Sequence, residues 1–364
     1  MGCGYSLWEF VVGRQPRKKL EHLFPHTQTA IMWLDNIKAA ILSPLSSSPI
    51  VPGQQKSPDA YPSITLSSAS LSANIALPEV GGYYQGTRFD HSGLIRTVSF
   101  ENHTFFGEWK PSHMPSEHDA VAGPAEEFGM QKPLGYEEAR VGKPFYKIGV
   151  GALRKTKAGD YHFFSTYPLI NRGTWTVTHG ESWAQFIHEI NGERGWAYRY
   201  TKRVELQEDK PMLVITHILE NTGVKTIDTN QYCHNFVCID DEPIGSNYKV
   251  RFDFEPQIKD EPFQRFSTVE ADTMTFPKPL EKAIYTEFAT PNTDIFMRIE
   301  NTKSGAALEI RGDHPASEWH IYAVSSAFCP EPFQSLIVPA GEETIWRTSY
   351  EFSTFEIMPS TPSS

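Results

Sequence analysis

Beyond residue 62, apolar and polar residues alternate along many short segments of the chain. The clearest of these segments are 174–190, 196–206, 212–221, 247–254, 294–300, 307–312, 318–324 and 344–354. Successive side chains on a β-strand point to opposite faces of the sheet, so this period predicts strands that each bury one face. Helical periodicity rarely extends beyond two turns. The pattern therefore predicts an all-β domain, a large antiparallel β-sandwich, over residues 63–354.

The two ends of the chain lack this alternation. We expect residues 1–62 to form an N-terminal extension, with a short helix over 29–42 and a Ser/Pro-rich linker after it. Residues 355–364 are expected to be a flexible tail. Within the sandwich, the stretch 110–142 is rich in Pro, Gly, His and Glu. It predicts a long irregular loop, and ordered loops of that length usually carry function.

Charge and cysteine usage limit the partners and the compartment. The 364 residues include 33 Lys and Arg against 44 Asp and Glu, a net charge of −11. Basic residues are dense only over 14–19, so no nucleic-acid partner is expected. The four cysteines, Cys3, Cys233, Cys238 and Cys329, form neither a disulfide framework nor a zinc motif, which favours a reduced, cytoplasmic location. No apolar run approaches the roughly 20 residues of a membrane span. The sequence predicts no particular oligomeric state.

The first six residues, MGCGYS, match the pattern for N-myristoylation. An acylated Gly2, a palmitoylated Cys3 and the basic residues at 14–19 would together give peripheral membrane association. The alternative is a chance match to a short pattern. We therefore expect a cytoplasmic protein with, at most, a lipid-anchored fraction.

Two segments carry the first candidate site residues. The segment GGYYQGTRFDHSG presents Arg88 and Asp90 after a glycine-permitted turn, where a planar guanidinium can hold a substrate oxygen. The alternative is a hairpin in which both residues pair with structural neighbours. His234 lies in an apolar, strand-like segment, and its near-neutral pKa suits it to proton transfer. A core histidine with internal hydrogen bonds is the alternative there.

Carboxylates supply the remaining candidates. Glu331 stands between Pro330 and Pro332, and prolines remove backbone donors, so we expect this carboxylate on a stiff segment outside the strand ladder. A structural turn is the alternative. Glu126 and Glu127 are adjacent within the stretch 110–142 and could bind a cation or a hydroxylated ligand. A solvated acidic loop is the alternative for this pair.

Taken in order, these motifs resemble aldose 1-epimerases and the wider galactose mutarotase-like superfamily. The resemblance rests on the glycine-rich segment that ends in Arg88, on YCHNF around His234, and on CPEPFQSLIVPAGEETIWRTSYEF near the end. It covers about residues 63–352 and implies a supersandwich fold. It also implies that His234 is the general acid, Glu331 the general base, and Arg88 the arginine that holds the sugar. The chain departs from the family where GPAEEFG replaces the usual H-G-G.

We therefore predict a carbohydrate epimerase that interconverts the anomers of a small-molecule sugar. A base removes the proton of the anomeric hydroxyl while an acid protonates the ring oxygen, which opens the ring without a metal or cofactor. Asp90 and Glu127 are predicted to bind the sugar beside Arg88. Two alternatives stay open: a non-catalytic carbohydrate-binding protein, and a sugar lyase or hydrolase on the same fold.

Overall fold

The structure is a computed structural model that describes residues 60–289 and 292–357. The predicted helix over 29–42, the basic residues at 14–19, and Gly2 and Cys3 lie outside the described residues. In the part that is described, no helix has the length and apolar character of a membrane span.

Strands make up about half of the described chain. In chain order they are β1 (Ser63–Ser67), β2 (Leu71–Ala76), β3 (Leu94–Phe100), β4 (His103–Thr104), β5 (Gly123–Phe128), β6 (Pro144–Lys147), β7 (Gly151–Arg154), β8 (Leu169–Asn171), β9 (Thr174–His179), β10 (Trp183–Asn191), β11 (Ala197–Leu206), β12 (Met212–Glu220), β13 (Ile227–Phe236), β14 (Tyr248–Phe252), β15 (Thr268–Glu270), β16 (Thr273–Thr275), β17 (Ile284–Glu287), β18 (Phe296–Asn301), β19 (Ala306–Gly312), β20 (Glu318–Val324), β21 (Ala327–Val338) and β22 (Glu343–Thr354). Two short helical turns lie between strands, a 3₁₀ turn (Glu193–Gly195) and the helix α1 (Glu261–Gln264).

The strands form antiparallel sheets of ten, five, four and three strands. The ten-stranded sheet has the order β15-β16-β14-β18-β19-β22-β12-β11-β10-β9, and the five-stranded sheet has the order β17-β20-β21-β13-β5. The smaller sheets are β1-β2-β3-β4 and β6-β7-β8. The predicted large antiparallel β-sandwich is confirmed.

The main apolar core lies between the five-stranded and ten-stranded sheets. Trp319 and Ile321 of β20 belong to the same buried cluster as Val250, Ile299 and Leu308 from the ten-stranded sheet. The other residues of β20, at 318, 320 and 322, point to the opposite face of the sheet because side chains alternate along a strand. One face of the five-stranded sheet is therefore core, and the other face is available for a site.

The expectation of an irregular loop over 110–142 holds for 110–122 and 129–142 but is wrong for Gly123–Phe128, which form β5. All six residues of β5 are buried and pair with Gln231–Phe236 of β13. Gly123 opens the strand with a φ of 57°, and a Cβ at that position would lie 1.9 Å from the carbonyl oxygen of Ile95. Only glycine fits at this position, which lets the chain enter a buried strand. Glu126 and Glu127 lie on that strand.

The segment around Glu331 also differs from expectation. We expected the prolines to keep it out of the ladder, yet it lies within the 12-residue strand β21, which pairs with β20 from Ala327 to Phe333. Toward its other neighbour, β13, the segment does lie outside the ladder as expected, because the continuous register of the two strands ends at the pair of Tyr232 and Phe333. It resumes only where Val237 and Phe328 exchange backbone hydrogen bonds of 3.0 and 2.9 Å.

The prolines explain this gap between β13 and β21. Along a strand, every second residue directs its N–H to the same neighbour, so Pro330 and Pro332 both lack the donor on one side. The side chain of Asn235 bridges the gap, since its Nδ2 donates a hydrogen bond of 2.9 Å to the carbonyl oxygen of Pro330. The backbone ladder between β13 and β21 is therefore interrupted at the prolines, and the side chain of Asn235 links the two strands there.

Candidate active site

The site face of the five-stranded sheet follows from the alternation of β13. Cys233 and Asn235 point into the sandwich, where Tyr350 of β22 lies 3.4 Å from the Cys233 Sγ and donates a hydrogen bond of 2.9 Å to Asn235. Tyr232 and His234 must then point to the opposite face. This is the face left open by the core.

His234 and Glu331 meet on this face across the gap in the ladder. The Nε2 atom of His234 lies 3.1 Å from Oε1 of Glu331, and each residue is 5% exposed. The imidazole stacks on Phe236 with ring centroids 3.9 Å apart. The Nδ1 atom of His234 is buried without a hydrogen-bond partner. The two predicted proton-transfer residues are thus in direct contact, and one imidazole nitrogen is unsatisfied.

Burial shifts both groups toward their uncharged forms. It raises the pKa of Glu331 to about 8, although the positive charge of Arg88 opposes the shift. It lowers the pKa of His234 well below its ordinary value, and Arg88 adds to that effect. Near neutral pH, the contact therefore holds a protonated carboxyl beside a neutral imidazole. The pair can donate one proton and accept another.

Arg88 is fixed beside this pair by Glu127. Its Nε donates a hydrogen bond of 2.8 Å to Glu127, and its Nη2 donates one of 2.8 Å to the hydroxyl of Tyr232. That hydroxyl in turn donates to Glu127 at 2.7 Å. Lys147 Nζ donates to the second carboxylate oxygen at 2.7 Å. Glu127 is fully buried, so it acts as the anchor of Arg88.

Aromatic rings enclose the guanidinium. Its Cζ lies 4.5 Å from the ring centroid of Phe89 and 4.7 Å from that of Phe163. Phe164 is 5.8 Å away. Phe163 and Phe164 belong to the connection between β7 and β8, residues 155–168, which we call the aromatic cover. Arg88 is 8% exposed, and the cover closes one side of the site.

Asp90 does not lie with the other predicted sugar ligands. It is fully buried, and it accepts hydrogen bonds from the hydroxyl of Tyr200 at 3.1 Å and from the backbone and hydroxyl of Ser92. A Cβ at Gly149 would lie 2.1 Å from its Oδ1. Burial raises the pKa of Asp90 to about 7, with Lys202 opposing the shift. Asp90 is a structural acceptor in the interior because protein groups surround both of its oxygens.

Glu126 belongs to the same interior region. Its Oε2 accepts a hydrogen bond of 2.5 Å from Lys202, and His217 Nε2 lies 3.6 Å from Oε1. Glu126 is 1% exposed and Lys202 is fully buried. The alternative of a solvated acidic loop is therefore wrong for both Glu126 and Glu127, which lie on opposite faces of β5. Each carboxylate has its own buried lysine.

Two residues of the site were missed in the sequence. Tyr232 stands two positions before His234, a spacing that places both on one face of a strand. Lys147 ends the otherwise apolar segment PFYK of β6 and is 1% exposed. A lysine among residues with strand alternation is a signal for a buried ion pair. In the described ranges, no three His, Cys, Asp or Glu side chains group as a metal site would require.

Comparisons with known proteins bear on the fold. No protein-family model matches the chain, and no curated protein matches it. Among solved structures, a candidate aldose 1-epimerase from Escherichia coli K12 is similar with a TM-score of 0.51 at 16% identity. The match covers 80% of this chain and 99% of that one.

Two further structures give the same picture. An aldose epimerase homologue from C. elegans has a TM-score of 0.51 at 12% identity, with 82% and 100% of the two chains covered. A galactose mutarotase-like protein from Clostridium acetobutylicum has a TM-score of 0.51 at 12% identity, with 82% and 97% covered. At these identities the likeness concerns architecture. The chain has the galactose mutarotase-like fold that its motifs implied.

Proposed function

We propose that this protein is an aldose 1-epimerase that opens and closes the ring of a sugar at His234 and Glu331. The observation that carries the proposal is the contact of 3.1 Å between His234 Nε2 and Glu331 Oε1. The hydroxyl oxygen and the ring oxygen of a cyclic sugar are bonded to the same anomeric carbon. Two proton-transfer groups that touch each other can therefore reach both oxygens at once.

Ring opening needs one proton donor and one acceptor, and the pair supplies both. One member accepts the proton of the anomeric hydroxyl while the other donates a proton to the ring oxygen. The bond from the anomeric carbon to the ring oxygen breaks, and a carbonyl forms in its place. Rotation about the neighbouring carbon–carbon bond and ring closure on the other face then return both protons.

The pair can hold its transferable proton in two ways. Burial favours a protonated Glu331 beside a neutral His234 in the empty site. The roles that the resemblance implies, with Glu331 as base and His234 as acid, use the ion-pair form of the same two groups. Both forms contain the same number of protons, so they share one pH dependence. Loss of that proton at higher pH leaves the pair without a donor for the ring oxygen.

Arg88 contributes orientation. Its guanidinium is held by Glu127 and Tyr232 and lies close enough to lower the pKa of His234. An arginine fixed in this way can donate to a sugar hydroxyl without losing conformational freedom on binding. The aromatic rings around it offer surfaces for the apolar face of a sugar ring.

The geometry gives less support to the alternatives. A glycoside hydrolase commonly uses two carboxyl groups that face the sugar, and here Glu127 is occupied by Arg88, Lys147 and Tyr232. A non-catalytic binding protein would use the same enclosed face, on which Arg88, His234 and Glu331 are each at most 8% exposed, so burial does not separate it from an epimerase. Exchange measurements separate this candidate from an epimerase.

The test is NMR exchange spectroscopy on a panel of aldoses at anomeric equilibrium. An epimerase increases the rate of exchange between the α and β signals in proportion to its concentration. We expect this increase for at least one aldose. Binding without accelerated exchange for any sugar would instead assign the protein to the non-catalytic class.

A further inference from the structure

A groove of about 290 Å³ lies on the five-stranded sheet beside the catalytic pair. Its lining includes Lys259, Glu287, Ala289, Glu318 and His320. Ligand pockets typically start at roughly 300 Å³, so the groove has room for one small ring. None of these residues takes part in the proton transfer described above.

The groove lies next to the site, with His320 between the two. His320 of β20 pairs directly with Glu331 of β21, and directly opposite residues in an antiparallel pair have Cβ atoms about 4.5–5.5 Å apart. On the next strand, the ring of Tyr285 lies 5.7 Å from that of His320, and its hydroxyl donates to Glu287 at 3.4 Å. The groove therefore begins one side chain away from Glu331.

The side chains in the groove are suited to hydroxyl groups. Lys259 Nζ donates to Glu287 at 3.0 Å, and both charges remain partly exposed. The side chain of Glu318 is 51% exposed, and His320 lies 3.5 Å from its Oε2. Two carboxylates against one lysine leave the groove negative. Sugar hydroxyls can donate to carboxylates, whereas a phosphate or carboxylate group on the ligand would be repelled.

We propose that this groove is a second sugar subsite, which binds the uncharged neighbouring residue of a reducing disaccharide or glycan end. The reducing sugar lies at His234 and Glu331, and the residue attached to it lies against Glu287 and Glu318. The inference rests on the proposed function, because it takes the position of the anomeric carbon from it. The substrate is then larger than a single hexose and carries no charge on its second residue.

The test compares a monosaccharide with disaccharides that have it at the reducing end. Isothermal titration calorimetry on the full chain uses glucose against maltose, cellobiose and lactose. Because hydrogen bonds to charged groups are the stronger ones, we expect at least one disaccharide to bind about tenfold more tightly than glucose. Equal affinity for glucose and all three disaccharides would overturn the subsite.

Two variants locate the gain in the groove. Ala289→Trp fills the groove from an exposed position, and Glu318→Ala removes a half-exposed acceptor. Each is expected to bring the ratio of disaccharide to glucose affinity close to one. Val224→Trp is the matched control, since Val224 is 80% exposed and outside the groove, and it should keep the ratio. A ratio that survives both groove variants would contradict the proposal.

The two proposals can fail separately. Accelerated anomer exchange with no gain for any disaccharide would retain the epimerase and remove the subsite. A disaccharide gain that Ala289→Trp abolishes, without accelerated exchange for any sugar, would retain the subsite on a binding protein.

Discussion

His234 and Glu331 contact each other at 3.1 Å at the place where Pro330 and Pro332 interrupt the ladder between β13 and β21. The prolines remove backbone donors on one side, and Asn235 closes the break with its side chain. The proposed catalytic pair thus lies where the ladder between β13 and β21 is interrupted. Both residues lie on β-strands, but they fall outside the continuous register of backbone hydrogen bonds between β13 and β21.

The first prediction concerns Glu331→Gln. The amide keeps the shape of the side chain but cannot exchange a proton, so we expect the anomer exchange rate to fall by about 10²- to 10⁴-fold. Sugar affinity, measured by calorimetry, should stay within a few fold. Glu189→Gln on β10 is the control, since Glu189 is an exposed strand carboxylate on the ten-stranded sheet. A Glu331→Gln variant with the full exchange rate would move the catalytic role to another residue.

The second prediction concerns the pH dependence of the exchange rate. The pair needs its transferable proton, and burial raises the pKa of Glu331 to about 8. The rate per enzyme should therefore be flat near neutral pH and fall as the pH rises through about 8. Exchange spectroscopy in buffers from neutral to alkaline pH gives the profile, after subtraction of the uncatalysed rate. A catalysed rate that rises through that range would mean that the active form has lost the proton.

The third prediction concerns the buried pair of Lys202 and Glu126. Removing one partner of a buried ion pair leaves an uncompensated charge, so Lys202→Met should lower the free energy of unfolding by about 3–5 kcal/mol. Adding Glu126→Gln to that variant removes the orphaned charge and should recover part of the loss. Urea denaturation measures both proteins. A double variant less stable than Lys202→Met alone would contradict the pairing.

The fourth prediction concerns the pH dependence of stability. Burial lowers the pKa of His91 to about 4 and that of His188 to about 3. The unfolded chain binds protons at these histidines below pH of about 6.5 while the folded chain does not, so stability rises with pH up to that value. In the folded chain, Glu331 and Asp90 keep protons up to about 8 and about 7, whereas the unfolded chain releases them. Stability should then fall toward pH 8.

The two trends oppose each other at acidic pH, and only the second remains above a pH of about 6.5, so the free energy of unfolding should fall as the pH rises from about 6.5 to about 8. Urea denaturation at a series of pH values measures it. A stability that rises continuously to alkaline pH would show that Glu331 and Asp90 are ionised in the folded protein.

The sequence predicted the fold well because strand alternation is a local property. The segment 318–324 is predicted as a strand and coincides with β20, since its apolar residues at alternate positions must face a core. The three weak motifs around Arg88, His234 and Glu331 also met in one site. These motifs are far apart in the chain, and it is their order along the sequence that resembles the family and predicts a shared site.

Other parts of the site depended on pairings that no local pattern contains. Whether Glu126 and Glu127 are solvated or buried depends on Lys202 and Lys147, which come from β11 and β6. Asp90 was grouped with Arg88 because they are two residues apart, but backbone geometry sends their side chains to different environments. The negative groove depends on the juxtaposition of β17 and β20, which becomes visible only in the folded sheet.

The pleat of β5 has a consequence for protein engineering. Glu126 and Glu127 are consecutive residues whose side chains point in opposite directions, one into the sandwich interior and one to the face of the candidate active site, because successive side chains alternate along a strand. Deleting one residue between Gly123 and Glu126 would shift the register by one, which places Glu127 at the position that faces Lys202 and Phe128 at the position that faces Lys147. Lys147 would then lose its carboxylate. Substitutions in this hexapeptide can be made one at a time. An insertion or deletion in it changes the core and the site at the same time.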